Sequence, residues 1–136
     1  MGIFLDTSFL LSLVNLEDEN FSKAEKFWKA IEGGEFGGAY SSDYVLVELA
    51  AVIQARTGNM ALSKKVVSAL SSSRVVELLM VGQQNFADSL SEYSSQKTKL
   101  SVTDCSSIVL MKEHSIEYIA SFDSDFDSVK GISRLP

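Results

Sequence analysis

The chain has 136 residues, 46% of them hydrophobic, enough for one compact domain with its own core and too few for a second. A lone cysteine, Cys105, excludes an internal disulfide framework and reads as a core thiol, and with no charged-then-apolar leader a cytosolic protein is expected. The formal charge of -6, from 18 acidic and 12 basic residues, argues against a protein that grips nucleic acid by electrostatics alone, and no apolar run approaches the roughly 20 residues a membrane helix needs.

Gly2-Ile3-Phe4-Leu5 is a short apolar run stopped by Asp6-Thr7-Ser8, after which Phe9 to Leu16 resumes with helical character. This reads as strand, turn, helix, with Asp6 at the strand's carboxyl end. Phe21, Ala24, Phe27, Trp28 and Ile31 recur at helical spacing before Gly33-Gly34, so an amphipathic helix is predicted with Trp28 in the core. Phe36 to Tyr40 is a weak second strand. Ser41-Ser42-Asp43 supplies caps for a helix to about Arg56, closed by Gly58-Asn59, and a further helix covers Ala61 to Leu70.

Val75 to Val81 is predominantly apolar, as in a strand covered on both faces. Gln83 to Ser95 reads as a helix weakened by its serines. Ser101 to about His114 is another helix, with His114 near its end, and Tyr118 to Phe122 is a fourth strand ending at Asp123. Gly131 to Leu135 adds a short last strand. Alternating strands and helices predict an α/β fold with three layers, α/β/α, around a mostly parallel sheet of four to five strands, which binds ligands at the strands' carboxyl ends.

Several acids gather at that edge. Asp6 suits a helix cap, Asp104 follows Ser101 at capping-box spacing, and Asp123 and Asp125 lie in a run of turn-forming residues. Glu48 fits a surface role less well. If Val45, Leu49, Val52 and Ile53 form the buried stripe of their helix, Glu48 falls on or beside it, and acids are rarely buried without a partner. Two carboxylates about 5 Å apart repel by roughly 3 kcal/mol at an effective dielectric near 20, so clustering needs compensation. With one histidine and one cysteine the chain is poor material for zinc, whereas oxygen ligands suit Mg²⁺ or Mn²⁺. Bound divalent ions would invert the local charge where a phosphate approaches. Arg56, Lys64, Lys65, Lys97, Lys99 and Lys112 are candidate contacts to a nucleic-acid backbone.

Phe4-Leu5-Asp6-Thr7-Ser8, Ser42-Asp43-Tyr44-Val45-Leu46-Val47-Glu48-Leu49, Ser101-Val102-Thr103-Asp104 and Ser121-Phe122-Asp123-Ser124-Asp125-Phe126 together resemble the successive acidic motifs of PIN-domain nucleases, in the family's order and across nearly the whole chain. The likeness is strongest to the ribonuclease toxins of VapBC-type toxin–antitoxin pairs. It implies a metal-binding and catalytic quartet of Asp6, Glu48, Asp104 and Asp123, with Asp125 as a substitute or outer ligand, and with Thr7, Ser8 and Thr103 orienting carboxylates or waters. It also implies Mg²⁺- or Mn²⁺-dependent hydrolysis of RNA that leaves a 5′-phosphate, paired subunits and a cognate antitoxin.

A homodimer is independently expected from Phe9, Leu10, Leu11, Leu13, Val14 and Leu16, a helix apolar on more faces than one sheet can cover. Other readings remain: an RNA-processing nuclease, a catalytically idle RNA-binding or assembly module, a dehalogenase-like phosphate enzyme and a receiver-like domain. The dehalogenase pattern needs a second Asp where Ser8 stands, and a receiver needs a pair of acids where only Asp6 is present.

Overall fold

A computed structural model describes all 136 residues. β1 (Gly2–Leu5) leads through α1 (Thr7–Val14) and α2 (Phe21–Glu32) to β2 (Gly38–Ser42), then through α3 (Asp43–Thr57) and α4 (Met60–Ser71) to β3 (Val76–Leu79). α5 (Gln83–Ser95) and α6 (Val102–Glu113) return the chain to β4 (Tyr118–Ala120), and a 3-10 turn over Ser124–Ser128 precedes β5 (Ser133–Leu135). The five strands pair in the order β3-β2-β1-β4-β5, all parallel.

This order and the hand of the crossovers together decide which face each helix covers. Right-handed connections carry α1 to α4 over one face as the chain steps from β1 to β3, and carry α5 and α6 over the other face as it returns to β4. The helices pack accordingly, α1 with α2 and α3, α3 with α4, and α5 with α6. β1 lies at the centre, and all four of its residues are buried because both faces are covered. Phe4, Phe9, Leu49, Ile53, Leu110, Ile119 and Phe126 are among the fully buried side chains of a continuous core. Cys105 belongs to it, its thiol pushed up to about 11, chiefly by burial.

The expected elements are present, with shifted bounds. α1 starts directly after Asp6 and stops at Val14, leaving Leu16 outside and exposed. The second strand begins at Gly38 rather than Phe36 and runs straight into α3, because Ser42 is both its last residue and the cap whose Oγ accepts from Val45 N at 3.1 Å. Gly58, at φ 64°, ends α3 in the left-handed region that glycine enters without a Cβ clash. The fourth strand stops at Ala120, so Asp123 stands three residues beyond the strand rather than at its end. Most of the apolar surface expected on α1 is covered by the fold, and what stays open is Leu16 and part of Leu13 and Val14. Phe9, Leu10 and Leu11 are buried, and Leu13 and Val14 pack partly buried against the core.

Candidate functional site

At the carboxyl ends of β1 and β4 the strand order reverses: the connection leaving β1 runs to β2 on one side, and the connection that reaches β4 on its other side comes from β3 over the opposite face of the sheet. Such switch points open a crevice. Asp6 enters that crevice. Its backbone N–H still bonds Ala120 O at 3.1 Å, and it holds the N-cap position of α1 without its side chain capping the helix. The residue is 2% exposed. Its Oδ2 accepts from Ser8 Oγ at 2.8 Å and from Ser121 Oγ at 2.7 Å, while Oδ1 is buried with no partner. Burial raises the carboxyl's pKa, and the bonds from Ser121 and Ser8 oppose the rise.

Both serines have a second task. Phe122 N donates to Ser8 Oγ and Asp123 N to Ser121 Oγ, each at 3.0 Å, so the two hydroxyls tie the loop after β4 to Asp6. Each hydroxyl has one hydrogen and Asp6 takes both, which makes the 3.1 Å Ser8–Ser121 Oγ approach a contact between lone pairs.

Glu48 lies half-buried on α3 next to buried Leu49, beside the apolar stripe as its spacing predicts. Thr7 Oγ1 donates to its Oε2 at 2.6 Å. Asp104 opens α6 in a reciprocal capping box: Ser101 N donates to Asp104 Oδ2 at 2.9 Å and Asp104 N to Ser101 Oγ at 3.1 Å. Capping does not exhaust its environment. Burial first, then the Asp6 charge and to a lesser degree that of Glu48, push its carboxyl up to about 6 against the lowering effect of Ser101. Asp123 Oδ1 accepts from Asp125 N at 2.9 Å and so caps the 3-10 turn.

Asp6, Glu48, Asp104 and Asp123 line one cleft of about 370 Å³, with Thr7, Ser8, Asp18, Glu19 and Arg56. Asp125 is not part of that lining. Thr103 instead faces a neighbouring depression with Tyr44, Val47 and Glu48, and its carbonyl accepts from Ser106 and Ser107. Sequence reasoning missed the role of Ser121. A serine two residues before an acid in a post-strand loop is the local signal, but its bond to Asp6 spans the fold.

The donor set fits a hard divalent cation. Every candidate ligand is a carboxylate oxygen, Asp6 Oδ1 is a buried acceptor without a donor, and the Asp104 carboxyl is raised by burial first and then by the Asp6 and Glu48 charges. As the side chains stand, no three of them converge as a ready metal-holding group. Glu48, Asp104 and Asp123 are each held by a hydrogen bond, from Thr7, Ser101 N and Asp125 N, and side-chain rotations would be needed to close them round one ion. An apolar recess of about 180 Å³ between α1 and α4 has a single polar lining residue, Ser73, and offers no such chemistry. No helix is long and apolar enough to cross a membrane.

The family model described as PIN domain matches residues 3–132. Comparison with curated proteins gave no match. Among solved structures, VapC20 of Mycobacterium tuberculosis, described as a sarcin-ricin loop cleaving toxin, superposes with a TM-score of 0.83 at 24% identity, covering 93% of each chain. VapBC2 of Rickettsia felis, solved bound to a DNA fragment from their promoter, gives 0.69 at 10% identity over 99% of this chain and 98% of that one. FitAcB of Neisseria gonorrhoeae gives 0.68 at 15% identity over 98% and 96%.

Proposed function

This chain belongs to the PIN-domain family, and from that premise we propose that it is a metal-dependent endoribonuclease that hydrolyses RNA phosphodiester bonds and acts in the cytoplasm as the toxin of a toxin–antitoxin pair. The observation that carries the reading is Asp6, a buried carboxylate with one oxygen saturated by two serines and the other left without a donor in an acid-lined cleft. A catalytically idle module has no need to bury such a group.

Asp6 through Oδ1, Glu48, Asp104 and Asp123 would hold Mg²⁺ or Mn²⁺, with Asp125 as an outer ligand. When bound, the metal supplies polarisation of a phosphoryl oxygen, a lowered pKa for the attacking water and charge stabilisation at the leaving oxygen. The protein's own part is positioning. Ser8 and Ser121 occupy Asp6 Oδ2 and leave Oδ1 free of donors, Thr7 holds Glu48, and the Ser101 capping box sets the direction of Asp104. No side chain has to act as nucleophile.

Likeness to VapC20 supports RNA cleavage, and likeness to VapBC2 and FitAcB supports a cognate antitoxin. A homodimer is supported by a different surface from the one expected on α1. Tyr44 and Phe86 pack at 6.4 Å between ring centroids and join α3 to α5 in a strip with exposed Val47, Leu90 and Tyr93. A second copy of the chain is the occupant proposed for it.

The test is incubation of the purified protein with a synthetic sarcin–ricin loop RNA and with total ribosomal RNA, in Mg²⁺, Mn²⁺ or EDTA. Cleavage leaving 5′-phosphate ends, abolished by EDTA and restored by either metal, is expected. Cleavage that survives chelation overturns the metal mechanism, and RNA binding without any cleavage favours the idle-module reading that the -6 charge suggests. Growth arrest on expression, relieved by an upstream-encoded partner, separates a toxin from an RNA-processing enzyme.

A further inference from the structure

Resting on the ribonuclease reading of the cleft, we propose that Arg56 is a phosphate-binding residue that holds a phosphodiester flanking the one that is cleaved. Of the 14 residues lining the cleft it is the one cation, and it shares the space with Asp6, Glu48, Asp104, Asp123, Asp18 and Glu19. A polyanion crossing such a cleft meets favourable charge at a metal-loaded acid cluster and repulsion elsewhere, so a second point of attachment must come from the protein.

Arg56 is placed for that task. It follows Glu48 by two turns of α3, with Val52 between them also lining the cleft, which sets it about 12 Å along the helix axis from Glu48. Its side chain is exposed and forms neither an ion pair nor a hydrogen bond, although Asp18 and Glu19 line the same cleft. The guanidinium fork therefore remains available, and its planar array of donors matches two oxygens of one phosphate. Anchoring at both ends of the cleft also sets the direction in which the strand crosses the acids.

A simpler role exists. Arg56 lies in the last turn of α3, where a cation complements the helix dipole. The two roles separate cleanly by measurement. RNA affinity and KM are determined over a range of salt in Ca²⁺ and Mg²⁺ respectively, for wild type, Arg56→Gln, Arg56→Lys and Arg74→Gln, whose position before β3 lies at the opposite edge of the sheet. The probe is the RNA that the wild type cleaves. Arg56→Gln is expected to weaken binding and raise KM by roughly tenfold, and to reduce the slope of log affinity against log salt by about 0.7, the loss of one phosphate contact on a single strand. Arg56→Lys keeps the slope, and Arg74→Gln changes neither quantity. An Arg56→Gln slope equal to that of wild type, with or without a lowered melting temperature, overturns the proposal while leaving the nuclease reading intact. Wild-type protein that cleaves no RNA removes both.

Discussion

Ser121 donates to Asp6 Oδ2 at 2.7 Å across 115 residues of chain, and the same oxygen of Ser121 accepts from Asp123 N at 3.0 Å. One hydroxyl thus links the first candidate ligand to the last. Ser121→Ala leaves a buried carboxylate oxygen with one donor fewer and a backbone N–H without its acceptor. The expected loss is about 1–3 kcal/mol of stability in EDTA, the usual penalty for an unsatisfied buried group, together with weaker Mg²⁺ binding. Denaturant titration and metal titration of the variant measure both. Wild-type values for the two would remove Ser121 from the site.

Asp104 answers to two masters, the helix it caps and the acids it faces. Asn retains an acceptor for Ser101 N and caps about as well as Asp, so Asp104→Asn isolates the charge. Removing one negative charge from beside Asp6 and Glu48 is expected to stabilise the metal-free protein, nearly abolish cleavage and shrink the rise in melting temperature that Mg²⁺ induces. Thermal melts in EDTA and in excess Mg²⁺, with an RNA assay, read all three. Full cleavage and an unaltered metal response would show that Asp104 only caps.

The pH dependence of the metal-free protein carries the opposite sign to that of a salt-bridged acid. The folded-state pKa of Asp104 is about 6 against an ordinary 3.8, so the folded protein binds the proton more tightly. Its contribution to stability is fully present below about pH 4 and is lost as pH rises through about 6. Asp6, also raised by burial, acts in the same direction. Mg²⁺ needs the ionised carboxylates, so the metal-induced gain in melting temperature is expected to grow from about pH 5 to 7. Melts across that range check both trends, and a stability in EDTA that rises with pH while Asp104→Asn stays flat would contradict the assignment.

Much of this candidate site was readable from local pattern because three of its acids lie within a periodic element or directly after one. The apolar run before Asp6, the Val45–Leu49–Ile53 stripe beside Glu48 and the Ser101–Asp104 spacing all encode short-range geometry, and the structure keeps each of them. Asp123 was harder to place. Two residues, Ser121 and Phe122, separate it from β4, and its position depends on Ser121 within the loop and on Ser8 from the far end of the chain. The extent of free apolar surface on α1 was illegible for a related reason: helical periodicity shows that α1 is apolar, but only the packing of α2 and α3 against it reveals that Phe9, Leu10 and Leu11 are covered while Leu13 and Val14 are half-buried.

The strip that remains uncovered makes the dimer testable without disturbing the core. Val47 is 70% exposed, and Leu90 on α5 also reaches solvent, so a charge at either position meets water in a monomer and an apolar surface in a dimer. Substitutions at such exposed sites usually change monomer stability by no more than about 0.5 kcal/mol. Burying an unpaired carboxylate at an interface is far more damaging. Leu90→Glu and Val47→Glu are therefore expected to keep the wild-type fold by circular dichroism and to sediment as monomers at concentrations where the wild type sediments as a dimer. Val47 neighbours Glu48, so the Leu90 variant gives the cleaner reading of activity: cleavage that falls with dimerisation would mean that the second copy supports the cleft. A wild-type protein that stays monomeric at high micromolar concentration, or a Leu90→Glu variant that remains dimeric, would show that this strip does not pair two copies of the chain.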